Sequence, residues 1–237
     1  MTREQFELKN EELKTRWISL KTPEDKGFVW DGIINYDNWI DSDLKLAFML
    51  KEARSGHGEQ EWNIAKAYDE EDGLFKVGRN ASQATHYRIV EWAYAVEAAL
   101  HGRQTITREE AKFNDYEASR KIMLASAYLN LKKIDGKSIS NDNNLRSIVK
   151  RDKALILEQL ELIQPNTILF CSNFKSIAKD ILFEGAIKLE ETDRCYDKDG
   201  VLLIDFIHPS PQSAEVKSLF WLFEDVSKIK NKSKYLK

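Results

Sequence analysis

Residues 44–50, LKLAFML, place apolar side chains almost without a break between polar Asp41–Asp43 and the charged, glycine-containing KEARSGHG of 51–58. A run this short, without polar alternation, predicts a buried strand rather than a helix. Three later runs repeat the pattern: IMLASAYLNL (122–131), NTILFCS (166–172) and VLLIDFI (201–207). Helix-period stretches lie between them. In SQATHYRIVEWAYAVEAAL (82–100), Tyr87, Val90, Tyr94 and Ala98 share a face, and Gly102 supplies the stop. TREEAKFNDYEASRK (107–121), LRSIVKRDKALILEQLELI (145–163), FKSIAKDILF (174–183) and SAEVKSLFWLFEDVSKIK (213–230) complete the series. Alternating strand and helix patterns predict an α/β fold, a three-layer αβα sandwich with a mainly parallel central sheet.

Ahead of this series, Phe6, Leu8, Leu13, Trp17 and Leu20 make the irregular stripe of a helix packed on a core. Residues 21–43 combine Pro23, Gly27 and Gly32 with Phe28, Trp30, Tyr36 and Trp39, which predicts an irregular segment anchored by large aromatics. Residues 1–237 therefore read as a single domain, with 1–43 an N-terminal extension packed on it. The NKSKYLK end (231–237) reads as a frayed, solvated tail.

Composition narrows the function. A chain of 237 residues that is 42% hydrophobic and 32% charged can bury a sizeable core and is not disordered. No apolar run approaches the roughly 20 residues of a membrane-spanning helix, and the start is charged rather than signal-like. Two cysteines, Cys171 and Cys195, are too few for a disulfide framework or a four-cysteine cluster. A reducing cytoplasm is the expected setting. The net charge of −3 excludes the strongly basic footprint of a nucleic-acid-coating protein but leaves room for a local groove.

In open parallel sheets ligands bind beyond the carboxyl ends of strands, so the polar residues that follow the apolar runs are the first candidates. Glu52 follows the first run, where a carboxylate can orient a water as base, although such a glutamate is commonly a solvated loop residue. Asn130 lies within an apolar run. A buried amide must be matched, either by a cap or loop hydrogen bond or by a base edge that it reads. His208 opens HPSPQS, where two prolines fix the backbone around one imidazole; an incidental histidine in a proline-rich turn is the equal alternative. His57, His86 and His101 have no metal spacing, and neither a phosphate loop nor a GxSxG elbow is present, so no metal and no cofactor are expected.

Taken in order, Leu50-Lys51-Glu52-Ala53-Arg54, Leu129-Asn130-Leu131 and His208-Pro209-Ser210-Pro211-Gln212-Ser213-Ala214 resemble the motifs of the uracil-DNA glycosylase superfamily. The resemblance implies a cofactor-free enzyme that flips a base out of DNA and cleaves its bond to deoxyribose, leaving an abasic site. It gives Glu52 the task of positioning water and stabilising the cationic sugar, and His208 that of supporting negative charge on the departing base. Asn130 takes the base-reading position. Trp62, with Phe75 in reserve, is the candidate aromatic platform under the base. Lys51, Lys175, Ser210, Gln212 and Ser213 are the candidate DNA contacts, and Lys51, Lys132, Lys175 and Lys217 are expected along one groove.

Two departures shape the expected substrate. The uracil-specific branch reads GQDPYH where this chain has LKEARS, so Arg54 replaces the tyrosine that blocks 5-substituted pyrimidines. Gln212 stands where that branch has a leucine wedge. A bulky modified pyrimidine fits this opening better than uracil, and glucosylated hydroxymethylcytosine in phage DNA is the expected target of a monomeric defence glycosylase. Repair of uracil or another deaminated base is the alternative within enzymes. A non-catalytic DNA-binding module, with Glu52 only a salt-bridge partner, is the alternative outside them.

Overall fold

A computed structural model describes residues 1–22, 25, 27–52, 61–69, 84–111, 116–134, 141–210 and 217–236. Its centre is a sheet of seven strands. Four of them, β3 (Leu46–Glu52), β5 (Ala127–Lys132), β6 (Thr167–Cys171) and β9 (Val201–Phe206), run parallel in the order β5-β3-β6-β9. Antiparallel strands flank them: β2 (Gly32–Ile33) on β5, and β8 (Cys195–Lys198) then β7 (Ile187–Lys188) beyond β9.

The unbroken apolar runs follow from burial on both faces. Phe48, Leu50, Tyr128, Leu169, Cys171, Ile204 and Phe206 face one core. The alternate residues Ala47, Met49, Leu129, Ile168, Phe170 and Leu203 face the other. The first core is covered by α3 (Ile64–Asp69), α4 (Ala84–Leu100), α6 (Tyr116–Leu124) and α9 (Ser218–Ser227). α1 (Arg3–Ser19), α7 (Asp142–Ile163) and the π turn Phe174–Ala178 cover the second. The expected α/β sandwich is therefore observed, with a parallel centre and antiparallel edges.

Several boundaries differ from the sequence expectation. The run at 122–131 is two elements, since Ile122–Leu124 end α6 and the strand begins at Ala127. The region 107–121 divides into α5 (Arg108–Ala111) and α6. FKSIAKDILF makes a π turn and the short α8 (Lys179–Ile181) rather than a full helix. The β8–β9 hairpin turns at Asp199 (φ 51°) and Gly200 (φ 86°), an Asp-Gly pair suited to a two-residue hairpin loop. The C-terminal end is not a frayed tail. Lys232–Tyr235 forms a 3₁₀ turn, Tyr235 is buried, and its hydroxyl donates to Asp197 Oδ2 at 2.7 Å.

The first 43 residues are woven into the domain. β1 (Phe28–Trp30) pairs with β4 (Glu61–Asn63), Val29 N donates to Lys133 O at 2.6 Å, and β2 extends the main sheet. Gly32, at φ 150°, makes the break between β1 and β2 with a backbone that side chains rarely adopt, and leaves Asp31 between the two strands. α2 (Tyr36–Asp41) follows, capped by Asn35. Among the described residues no helix is long and apolar enough to cross a membrane.

Candidate active site

All four parallel strands bring their carboxyl ends to one rim. The path from β3 to β5 runs through α4 and α6 on one face, and the path from β5 to β6 through α7 on the other. The crossovers diverge between β3 and β6, the switch point at which open α/β sheets bind ligands. Glu52 ends β3, Asn130 and Lys132 lie at the end of β5, Ser172 and Asn173 follow β6, and His208 follows β9. With strands spaced about 4.8 Å apart, β3 and β9 are roughly 10 Å from each other, on either side of β6.

Glu52 stands opposite Lys132 in the ladder, and Lys132 Nζ donates to its Oε2 at 2.7 Å. The pair is largely buried, at 10% and 16% side-chain exposure. The lysine fixes the carboxylate at the rim and occupies one of its oxygens.

Asn130 lies two residues before Lys132, on the same face of β5 by strand alternation, and opposite Leu50. It is buried. Its backbone N–H and its Nδ2 both donate to Asp31 Oδ2, at 2.8 and 3.0 Å, while Oδ1 is buried without a partner. An unmatched buried acceptor of this kind costs about 1–3 kcal/mol. Asp31 is itself held on several sides: Lys133 Nζ pairs with Oδ1, and Gln159 Nε2 donates to the backbone O at 3.0 Å. The Lys133 nitrogen lies 5.0 Å from the Trp17 ring centre and 5.7 Å from that of Trp30. Burial lowers the pKa of the Lys133 ammonium, with Asp31 opposing the shift.

His208 is half-buried. Ser210 N–H donates to its Nδ1 at 3.1 Å, so in the neutral ring the proton sits on Nε2. Burial, and then the positive charge of Lys51, push its pKa below the usual 6.5. At neutral pH the ring is uncharged and offers an Nε2–H donor.

The expected cations share this rim, but not as a free positive stripe. Lys51 Nζ pairs with Asp142 Oδ1 at 2.6 Å and Lys175 Nζ with Asp205 Oδ2 at 3.2 Å, in addition to Lys132 with Glu52. Lys217 is exposed at the start of α9. Acidic neighbours thus offset much of the field expected from sequence. The hydrogen bond to Asp205 holds the Lys175 ammonium above its ordinary pKa. Ser172, Lys175, Arg194, Asp205, Phe206 and Ile207 help line a cleft of about 320 Å³ that does not include His208 in its wall.

Trp62 lies outboard of this group. It sits on β4 opposite Val29 and packs partly buried against the core face that contains Tyr128 and Leu50. Arg54, Phe75, Gln212 and Ser213 lie outside the described residues, as does His57. Among the described residues no three His, Cys, Asp or Glu side chains gather as a metal site requires.

Sequence reasoning missed two residues here. Asp31 interrupts FVWDGII (28–34), the same signal, a polar residue in an apolar run, that singled out Asn130. Asn173 donates through Nδ2 to Met49 O at 3.0 Å, bridging β6 to β3, and its Oδ1 is also buried without a partner. Preceding it, Ser172 holds a φ of 62° while its N–H donates to Phe206 O. Neither a family model nor a curated protein matches the chain.

Proposed function

We propose that this chain is a monofunctional DNA glycosylase with a uracil-DNA glycosylase-like fold, acting in bacterial defence on a modified pyrimidine of phage DNA. Glucosylated hydroxymethylcytosine is the proposed base, and an abasic site the product. The observation that carries the proposal is the placement of a carboxylate, Glu52, and a neutral Nε2–H imidazole, His208, on one rim of the parallel sheet. The motif resemblance adds the division of labour.

With the base flipped into the rim, the C1′–N1 bond breaks and its electron pair leaves with the base. Negative charge spreads onto the base oxygen O2, where the His208 Nε2–H stabilises it without transferring a proton. Positive charge grows on the sugar, where the carboxylate of Glu52 stabilises it. Water adds through oxygen to C1′. Its proton passes to Glu52 and on to the departed base, so that water and nucleotide become free base and abasic deoxyribose. Lys132 holds Glu52 through Oε2, leaving Oε1 for the water. Arg54, in place of the blocking tyrosine, admits the 5-substituent.

The Glu52–Lys132 ion pair also favours a second function, a DNA-binding module in which Glu52 is structural. Incubation with uracil, unmodified, hydroxymethylcytosine and glucosylated hydroxymethylcytosine DNAs, with mass spectrometry of any released base, separates the two. Release of the glucosylated base alone is expected. Release of uracil alone would restore repair, and no release from any DNA would leave the binding module.

A further inference from the structure

The cations of the carboxyl rim are not all paired. Lys51, Lys132 and Lys175 each face a carboxylate, but the guanidinium of Arg194 makes neither an ion pair nor a hydrogen bond among the described residues. It lies instead over the Phe206 ring, with Cζ 5.8 Å from the ring centre. Arg194 immediately precedes β8, and its carbonyl accepts from Asp205 N at 2.9 Å, which sets it at the carboxyl end of β9. Its own N–H and that of Asp193 donate to the buried Asp225 carboxylate, at 2.9 and 2.8 Å. Backbone and aromatic face thus fix the arginine while its charge stays open.

That open charge borders the cleft of about 320 Å³. The wall also carries Lys175, Asp205 and the exposed serines Ser172 and Ser176, and it reaches Ile207, the residue before His208. Asp205 offsets one cation, not two. Arg194 is felt at Lys175, where its like charge opposes the rise in pKa that Asp205 causes. Two cations, one carboxylate and two hydroxyls leave the cleft short of one negative charge. The planar guanidinium fork matches two oxygens of a phosphate and, already settled on a ring, loses little freedom in gripping them. On the glycosylase reading above, which this inference rests on, His208 stands at the departing base, so a group in this cleft flanks the flipped nucleotide. We infer that the cleft is a phosphate subsite in which Arg194, with Lys175 beside it, holds a phosphodiester of the DNA next to that nucleotide. The segment leading into the β8–β9 hairpin, outside the motifs of the resemblance, thereby becomes part of the DNA interface.

The test follows single-turnover kcat/KM on duplex DNA with glucosylated hydroxymethylcytosine as salt is raised. A lost phosphate contact lowers the slope of log kcat/KM against log salt by about 0.9. Arg194→Gln should show that loss and a kcat/KM about tenfold lower at about 100 mM salt. Arg194→Lys keeps the charge and stays informative if Arg194→Gln does not fold; it should retain the slope and lose about threefold through the missing fork. Folding of each variant is checked by circular dichroism. An unchanged slope in folded Arg194→Gln, or wild-type kcat/KM in Arg194→Lys, overturns the subsite while the glycosylase stands. The same holds if inorganic phosphate raises the melting midpoint of wild type but Arg194→Gln keeps the wild-type slope, since the cleft would then hold a free ion rather than DNA. A wild type that releases no base from any of the four DNAs overturns the glycosylase reading and this inference with it.

Discussion

The two ends of the parallel sheet bury similar side chains and treat them differently. At the amino end, Lys45 Nζ donates to the carbonyls of Trp39, Ile40 and Ser42 at 3.0, 3.2 and 3.0 Å. Asn166 there uses both poles of its amide, Oδ1 accepting from Lys45 N and Nδ2 donating to Asp43 O. At the carboxyl end, Asn130 and Asn173 each use Nδ2 and leave a buried Oδ1 empty. Among the described residues the hydroxyls of Thr167, at the start of β6, and of Ser227, at the end of α9, are also buried without a partner. The amino end also opens onto the larger hollow, about 960 Å³ beside Asp41, Asp43 and Glu97, where burial raises the Glu97 pKa. Cavity size therefore does not mark the site. A satisfied network behaves as scaffold, while open acceptors beside a carboxylate and a neutral imidazole are what the proposed site would offer a ligand.

Mutations at the two ends should separate accordingly. The largest effects on rate belong to the carboxyl end. Glu52→Gln and His208→Ala are each expected to slow abasic-site formation by about 10²–10³-fold in single-turnover assays; Glu52→Gln, which leaves the largely buried Lys132 ammonium without its carboxylate, should also lower the melting midpoint, whereas His208→Ala should change it little. Asn166→Ala, at the amino end, should cost about 1–3 kcal/mol in urea unfolding and leave the rate unchanged.

The Asp31–Lys133 pair belongs to both categories. Lys133→Met leaves a buried carboxylate unpaired, and a loss of about 3–5 kcal/mol in urea unfolding is expected. A near-neutral result would mean that Gln159 and Asn130 suffice to hold Asp31.

A smaller effect concerns pH. His208 binds its proton more weakly folded than unfolded, so between its depressed value and the usual 6.5 the unfolded chain holds more protons. Its contribution to stability is full above 6.5 and lost as pH falls through that window. The rate should follow the neutral ring, flat at and above pH 7 and declining only below about 6.5. His208→Ala should remove that limb, which a pH–rate profile reads directly.

The smallest change is Tyr235→Phe, remote from either end. Loss of its hydrogen bond to Asp197 should cost about 1 kcal/mol and leave catalysis intact.

The central strands were legible because burial on both faces leaves no polar alternation to misread, and LKLAFML lies within two residues of β3 at each end. The break at Ala125–Ser126 was not, because α6 ends in Ile-Met-Leu and the next strand is equally apolar, so hydropathy runs across the boundary. The strands β7 and β8 are short and partly polar, and only the Asp199-Gly200 turn signals their hairpin. Glu52, Asn130 and His208 could be placed on one rim from sequence because each stands at or beside the end of a readable strand. Asp31 could not, because it belongs to an edge segment whose pairing with β5 is a tertiary fact. The ion pairs that offset Lys51 and Lys175 join residues far apart in the chain, 91 positions in the case of Lys51 and Asp142. Charge counting along the sequence has no access to them.

The central claim, that the carboxyl rim performs the chemistry, is tested most directly by one assay. Duplex DNA with glucosylated hydroxymethylcytosine is treated with wild type, Glu52→Gln and Asn166→Ala under single-turnover conditions, and abasic sites are counted after alkaline cleavage. Wild type and Asn166→Ala should form them at equal rates, and folded Glu52→Gln at least about 10²-fold more slowly. Equal rates for Glu52→Gln and wild type would contradict the account, because the carboxylate would then serve only its ion pair with Lys132.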